Sequence, residues 1–92
     1  MPAERRDPAV DIALGRVIAR ARTDAGISQE TLAHGAGLHA TYVSQLERGL
    51  KSPTVRVLLA LANALDLPAS RLLDEVESKL AATRKTSTRR FR

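Results

Sequence analysis

Few side chains in this sequence could make or break bonds, and none has the company that such chemistry needs. His34 and His39 lie five residues apart in a chain without cysteine, so they do not make a metal set. No serine or threonine comes with an attendant base, no carboxylates are paired as acid and base, and no glycine-rich loop cradles a phosphate. Neither catalysis nor a cofactor is expected. What the sequence does hold is a run of hydrogen-bonding side chains at helical spacing, Thr41, Ser44 and Gln45, followed by Arg48, Lys51 and Ser52. The chemistry of such a run is recognition. A primary amide such as that of Gln45 sets a donor beside an acceptor and can pair with two adjacent groups on an adenine edge, while hydroxyls meet a base, a methyl group or a phosphate.

The stretch from Ser28 to Gly49 is built to hold these residues out. Ser28 is a good N-cap, and Gln29-Glu30 put an acid where the helix dipole favours one. Leu32, Ala33 and Ala36 share a face, and Gly37 stands where the helix must stop, since a residue without Cβ takes the left-handed conformation at little cost. Leu38 then turns inward. His39 is a second-rank cap for a helix through Ala40 to Glu47, with Val43 and Leu46 as its inward edge, and Gly49 ends it. Two short helices joined at a glycine turn are the unit that sets its second helix in a DNA major groove. The outward residues near the start of that helix are Ala40, Thr41, Ser44 and Gln45, which makes them the candidate base contacts.

Around this unit the chain reads as helices only. Val10, Leu14, Val17, Ile18 and Ala21 form the stripe of a first helix that starts at Ala9 and stops at Gly26, with Asp11, Arg16, Arg20 and Asp24 on its outward face. After a loop at Leu50 to Thr54, Thr54 caps a helix in which Val55, Val57, Leu58, Leu59, Leu61, Ala62 and Leu65 cover more than one face. Asp66-Leu67-Pro68 breaks it, and Leu72, Leu73, Val76 and Leu80 line a fifth helix. The expected fold is all-α, a compact five-helix bundle. Its 92 residues allow one domain, over 9–81, between a flexible N-terminal arm (1–8) and a basic flexible C-terminal tail (82–92). With one Tyr, one Phe and no Trp, the core must be Leu, Val, Ile and Ala.

A net charge of +5 suggests a nucleic-acid partner, yet Arg84, Lys85, Arg89, Arg90 and Arg92 supply all five charges. Met1 to Thr83 carries ten basic and ten acidic residues, so a DNA-binding face there must be a local patch. No apolar run reaches the ~18 residues of a membrane span, and Met1 to Arg6 lacks the apolar stretch of a signal peptide. A cytoplasmic protein with no membrane partner is expected.

Leu14 to Leu73 resembles the Cro and phage-repressor type of helix-turn-helix domain, also called the xenobiotic-response-element family. The resemblance rests on ISQETLA, the Gly37-Leu38 turn, TYVSQLERG, the SPT of Ser52 to Thr54, and LLALANALDLP of Leu58 to Pro68. It implies a regulator that binds a pseudo-palindromic operator in double-stranded DNA as a homodimer, with Ala40 to Glu47 as the recognition helix. Many members carry a longer polar residue where this chain has Ala40, which leaves that position only apolar contact. By resemblance Gln29 grips a phosphate at the head of the second helix; by their place beyond the recognition helix Arg48, Lys51 and Ser52 clamp the DNA backbone, His39 is a cap or phosphate neighbour, and the Tyr42 ring packs beside the motif with its hydroxyl at the edge, in reach of a phosphate. Glu47 is implied to pair with Arg22 rather than face DNA. The apolar excess of Val57 and Leu61, with the seam Leu72, Val76 and Leu80, is read as the dimer interface. Restriction-modification controllers, phage-type repressors and antitoxins all fit, and an adaptor that kept the fold and lost DNA binding is the alternative. The tail is the spare segment for a protein partner.

Overall fold

Three of the helices begin at a capping side chain, and four are followed by a residue in the left-handed conformation. The computed structural model describes residues 7–88, and the side chains of 7–83. Among the described residues are five helices and no strand: α1 (Pro8–Asp24), α2 (Gln29–Ala36), α3 (Ala40–Glu47), α4 (Val55–Ala64) and α5 (Ala69–Thr88). Asp7 accepts from Ala9 N at 3.0 Å, Ser28 from Thr31 N at 3.0 Å and Thr54 from Val57 N at 3.1 Å. Each such cap stabilises its helix by about 1 kcal/mol. His39 occupies the N-cap position of α3 without a side-chain capping bond. At the α2–α3 turn Gly37 has φ 72°, and Leu38 N donates to Ala33 O at 2.8 Å, which folds Leu38 onto the core. α4 ends in the same way on Asp66, at φ 59°, with Leu67 N donating to Ala62 O at 2.9 Å.

One core serves all five helices. Val17, Ile18, Leu32, Val43, Leu46, Leu61 and Leu72 are fully enclosed in it. α1 packs on α3 and α5, while α4 lies between α2 and α5. That placement corrects the expected dimer seam. Leu61, Leu72 and Val76 are 0%, 0% and 5% exposed within a single copy, because a helix apolar on more than one face is here covered by neighbours on more than one side. Val57 and Leu80 are half-buried against the same core. Among the described residues Val55 (73%), Leu59 (54%) and Leu73 (44%) are the large apolar side chains that α4 and α5 leave exposed.

Three further expectations shift. Asp11, expected on the outward face of α1, is buried, because the side of α1 turned to α3 runs through 11, 15, 18 and 22. α1 starts at Pro8, inside the expected arm, with its cap at Asp7. α5 continues past the expected boundary at residue 81 to Thr88. Ala81, Ala82, Arg84 and Lys85 are good helix formers, and extending an existing helix costs far less than nucleating one. Arg5, Arg6, Arg89, Arg90 and Arg92 lie outside the described residues, as do the side chains of Arg84 and Lys85.

The crossing of α1 on α3 is a backbone contact. A Cβ added at Gly15 would run into the Leu46 carbonyl oxygen and stand 2.7 Å from that of Glu47. Gly49, at φ 78°, lies as close from the other side, where an added Cβ would meet Ile12 Cγ1 at 2.9 Å. Alanine is the better helix former by about 1 kcal/mol, but neither helix backbone can yield without moving the end of α3. Gly15→Ala is expected to lower stability by about 1–3 kcal/mol, read as a fall of at least about 4 °C in Tm. A higher Tm would show that the crossing tolerates a side chain.

Candidate nucleic-acid interface

The outward edge of α3 follows from which residues it spends on the core. Val43 and Leu46 are enclosed, so Ala40, Thr41, Ser44 and Gln45 lie toward the open side. Thr41 is exposed and the other three are half-buried. Among the described residues no hydrogen bond engages the side chains of Thr41, Ser44 or Gln45, so neither hydroxyl is folded back onto a helix carbonyl. Beside this edge runs an open groove of about 520 Å³, lined by Ala40, Thr41 and Ser44 from α3, Ser28, Gln29 and Glu30 at the head of α2, and Arg22 from α1. The methyl group of Ala40 leaves it wide. At the head of α2 the Thr31 amide is taken by Ser28, and the first intrahelical bond runs from Leu32 N to Ser28 O. The amides of Gln29 and Glu30 precede that bond and carry the positive end of the helix dipole.

His39, just before α3 in the chain, and Lys51 and Ser52, shortly after it, are exposed. Arg48 is exposed as well, with a long bond from Nε to Ser44 O at 3.4 Å. The Tyr42 ring packs against the core, and its burial raises the phenol pKa.

Behind the groove the structure brings Arg22, Glu47 and Gln29 together. Arg22 Nε donates to Glu47 Oε2 at 2.6 Å and Nη2 to Oε1 at 3.0 Å, while Nη1 donates to Ile27 O at 2.9 Å. Gln29 Nε2 donates to Glu47 Oε1 at 2.8 Å. The Arg22 and Glu47 side chains are 16% and 6% exposed. The bond to Glu47 raises the Arg22 pKa and outweighs the burial that opposes it, with attraction to the carboxylate adding to the rise. The network ties the end of α1 and the head of α2 to the last turn of α3. Sequence reading missed one bond of this network and the close helix crossing beside it. Gly15, seven residues before Arg22 and so on the same face, carried a signal as an isolated glycine inside a helical pattern. The Gln29–Glu47 bond carried none, since nothing local links residues 18 apart.

A short helix that holds an unengaged polar edge outward, set against a second helix by a tight glycine turn, defines a DNA-binding helix-turn-helix protein. Residues 18–72 match the family profile described as helix-turn-helix, and the chain belongs to that family, in its Cro/C1 type. It is a DNA-binding transcriptional regulator and not an enzyme. An uncharacterized HTH-type transcriptional regulator from Sinorhizobium fredii, y4dJ, is 35% identical over 77% of this chain and 92% of its own length. Control protein C.SmaI from Serratia marcescens is 43% identical over 51% of this chain, which spans 56% of that protein. The crystal structure of the restriction-modification controller protein C.AhdI from Aeromonas hydrophila superposes with a TM-score of 0.65 at 39% identity, covering 66% of this chain and 92% of that one. Among the described residues no helix is long and apolar enough to cross a membrane.

Removing the Arg22 cation leaves Glu47 enclosed beside one neutral donor. Arg22→Met is expected to cost about 3 kcal/mol of stability in urea unfolding; a loss below about 1 kcal/mol, the range of an exposed pair, would show that the bridge does not hold the helices.

Proposed function

We propose that the protein acts as a homodimer on a pseudo-palindromic operator, as a repressor or controller of the adjoining genes in the cytoplasm. The observation that carries this reading is the unengaged edge Thr41, Ser44 and Gln45 beside the groove at the head of α2. Gln45 pairs with an adenine edge, Thr41 and Ser44 contact bases, and Ala40 offers apolar contact to a thymine methyl. Gln29, His39, Tyr42, Arg48, Lys51 and Ser52 position the duplex through its phosphates. The basic end of the chain adds affinity without choosing a sequence. Similarity to controller proteins supports the regulatory role.

Footprinting on the protein's own promoter tests this, with half-sites expected one helical turn or a multiple apart. Gln45→Ala should weaken operator binding by about 1–3 kcal/mol and relax choice at one base pair. Lys51→Ala should weaken all duplexes alike and lower the salt slope by about 0.9. An adaptor that retains the fold and has lost DNA binding is the second reading, favoured by Ala40 and by the equal count of acids and bases in Met1 to Thr83. Absence of salt-dependent binding to any duplex by a form lacking Thr83 to Arg92 would decide for it.

For the dimer, the apolar residues still exposed on α4 and α5 replace the buried seam. Val55 and Leu59 lie one turn apart on α4, with Leu73 on α5. Leu59→Glu is expected to shift the chain to monomer in sedimentation equilibrium at micromolar concentration. An unaltered chain that is already monomeric there would remove the interface.

A further inference from the structure

We propose that Glu47 is a positioning residue for DNA: through its Oε1 it holds the Gln29 amide so that the second Nε2–H is presented to a phosphate at the head of α2. This rests on the DNA-binding reading above and adds to it a role for a residue that DNA itself would repel.

The two ends of a glutamine amide have nearly the same shape, and only their partners decide which way it faces. A carboxylate accepts and never donates. The 2.8 Å contact between Gln29 and Glu47 Oε1 therefore requires the amide nitrogen on the Glu47 side. Glu47 itself cannot swing away. Its side chain is 6% exposed, both oxygens are bonded to Arg22, and Arg22 is anchored in turn on Ile27 O at 2.9 Å, in the turn between α1 and α2. Ile27 O, Arg22, Glu47 and Gln29 thus form one chain of bonds that leaves the α1–α2 turn and returns to the first residue of α2. No other side chain is hydrogen-bonded to Gln29 among the described residues, and Ala40 across the groove has no polar group to offer.

The second Nε2–H then stands with the backbone amides of Gln29 and Glu30 at the positive end of α2, three donors within two residues. A glutamine free in solvent loses rotamer freedom when it meets a phosphate. One already held by Glu47 does not, so the carboxylate favours binding through its neighbour while its own charge is matched by Arg22.

A double-variant cycle on binding to a random-sequence duplex at low salt tests this, read below the unfolding range of every form. Gln29→Ala should weaken binding about fivefold, the worth of one ordinary hydrogen bond. Glu47→Met, which keeps side-chain length and removes the acceptor, should cost about as much in the unaltered chain and less than about twofold in the Gln29→Ala background. Equal loss in both backgrounds, or no loss from Gln29→Ala, overturns the proposal while leaving DNA binding intact. An unaltered chain that binds no duplex overturns both readings. Should Glu47→Met not fold, nitrogen relaxation of the Gln29 side-chain amide in the unaltered chain decides: order matching the backbone supports the proposal, and free motion on the fast timescale overturns it.

Discussion

A carboxylate as enclosed as that of Glu47 is stable only while cations and donors face it, because withdrawing an unpaired charge from water costs several kcal/mol. Here the facing groups come from two places, Arg22 on α1 and Gln29 at the head of α2, while Glu47 itself stands in the last turn of α3. The electrostatic requirement therefore becomes a geometric one. These parts must arrive together for any of them to be buried. Gly15 lets α1 come close enough, since any side chain there would strike the carbonyl oxygens at the end of α3. The same crossing points the opposite edge of α3, with Thr41, Ser44 and Gln45, away from the core.

Charge in this protein is arranged for local effect. The five positive charges in excess lie at positions 84–92, and the remaining chain is balanced. A fold without a broad positive field steers DNA weakly over distance. The proposed interface relies instead on closely placed donors: backbone amides at the head of α2, hydroxyls and an amide on α3, and Lys51 just beyond. Isolated exposed pairs such as Arg20–Asp24, at 3.3 Å, hold nothing in place by comparison.

Apolar surface follows a similar division. α4 and α5 carry more hydrophobic residues than one core-facing stripe needs, and a chain poor in aromatic residues spends most of them internally, on Leu61, Leu72 and Val76. What remains outside is a smaller set, Val55, Leu59 and Leu73. The surplus is real, but its members differ from those that periodicity alone suggests. Residues three or four apart share a face, and periodicity does not say whether that face meets the same chain or another copy.

The features legible in the sequence were those decided within a few residues. Ser28 and Thr54 cap because their hydroxyls reach amides three positions on, Gly37 and Gly49 end helices because they lack a Cβ, and the 3.6-residue stripe marks Val43 and Leu46 as inward. These local rules, with their order along the chain, were enough for the all-α fold and for which edge of α3 faces outward. Tertiary structure alone decided what depends on which faces meet: the burial of Asp11, the use of Leu61, Leu72 and Val76 within one copy, and the close approach at Gly15. Gln29 shows the difference most clearly. Its place at the head of a helix was readable from the caps around it. Its bond to a carboxylate 18 residues away was not, because that contact exists only once α1, sequestering Arg22, has pressed the end of α3 against the start of α2.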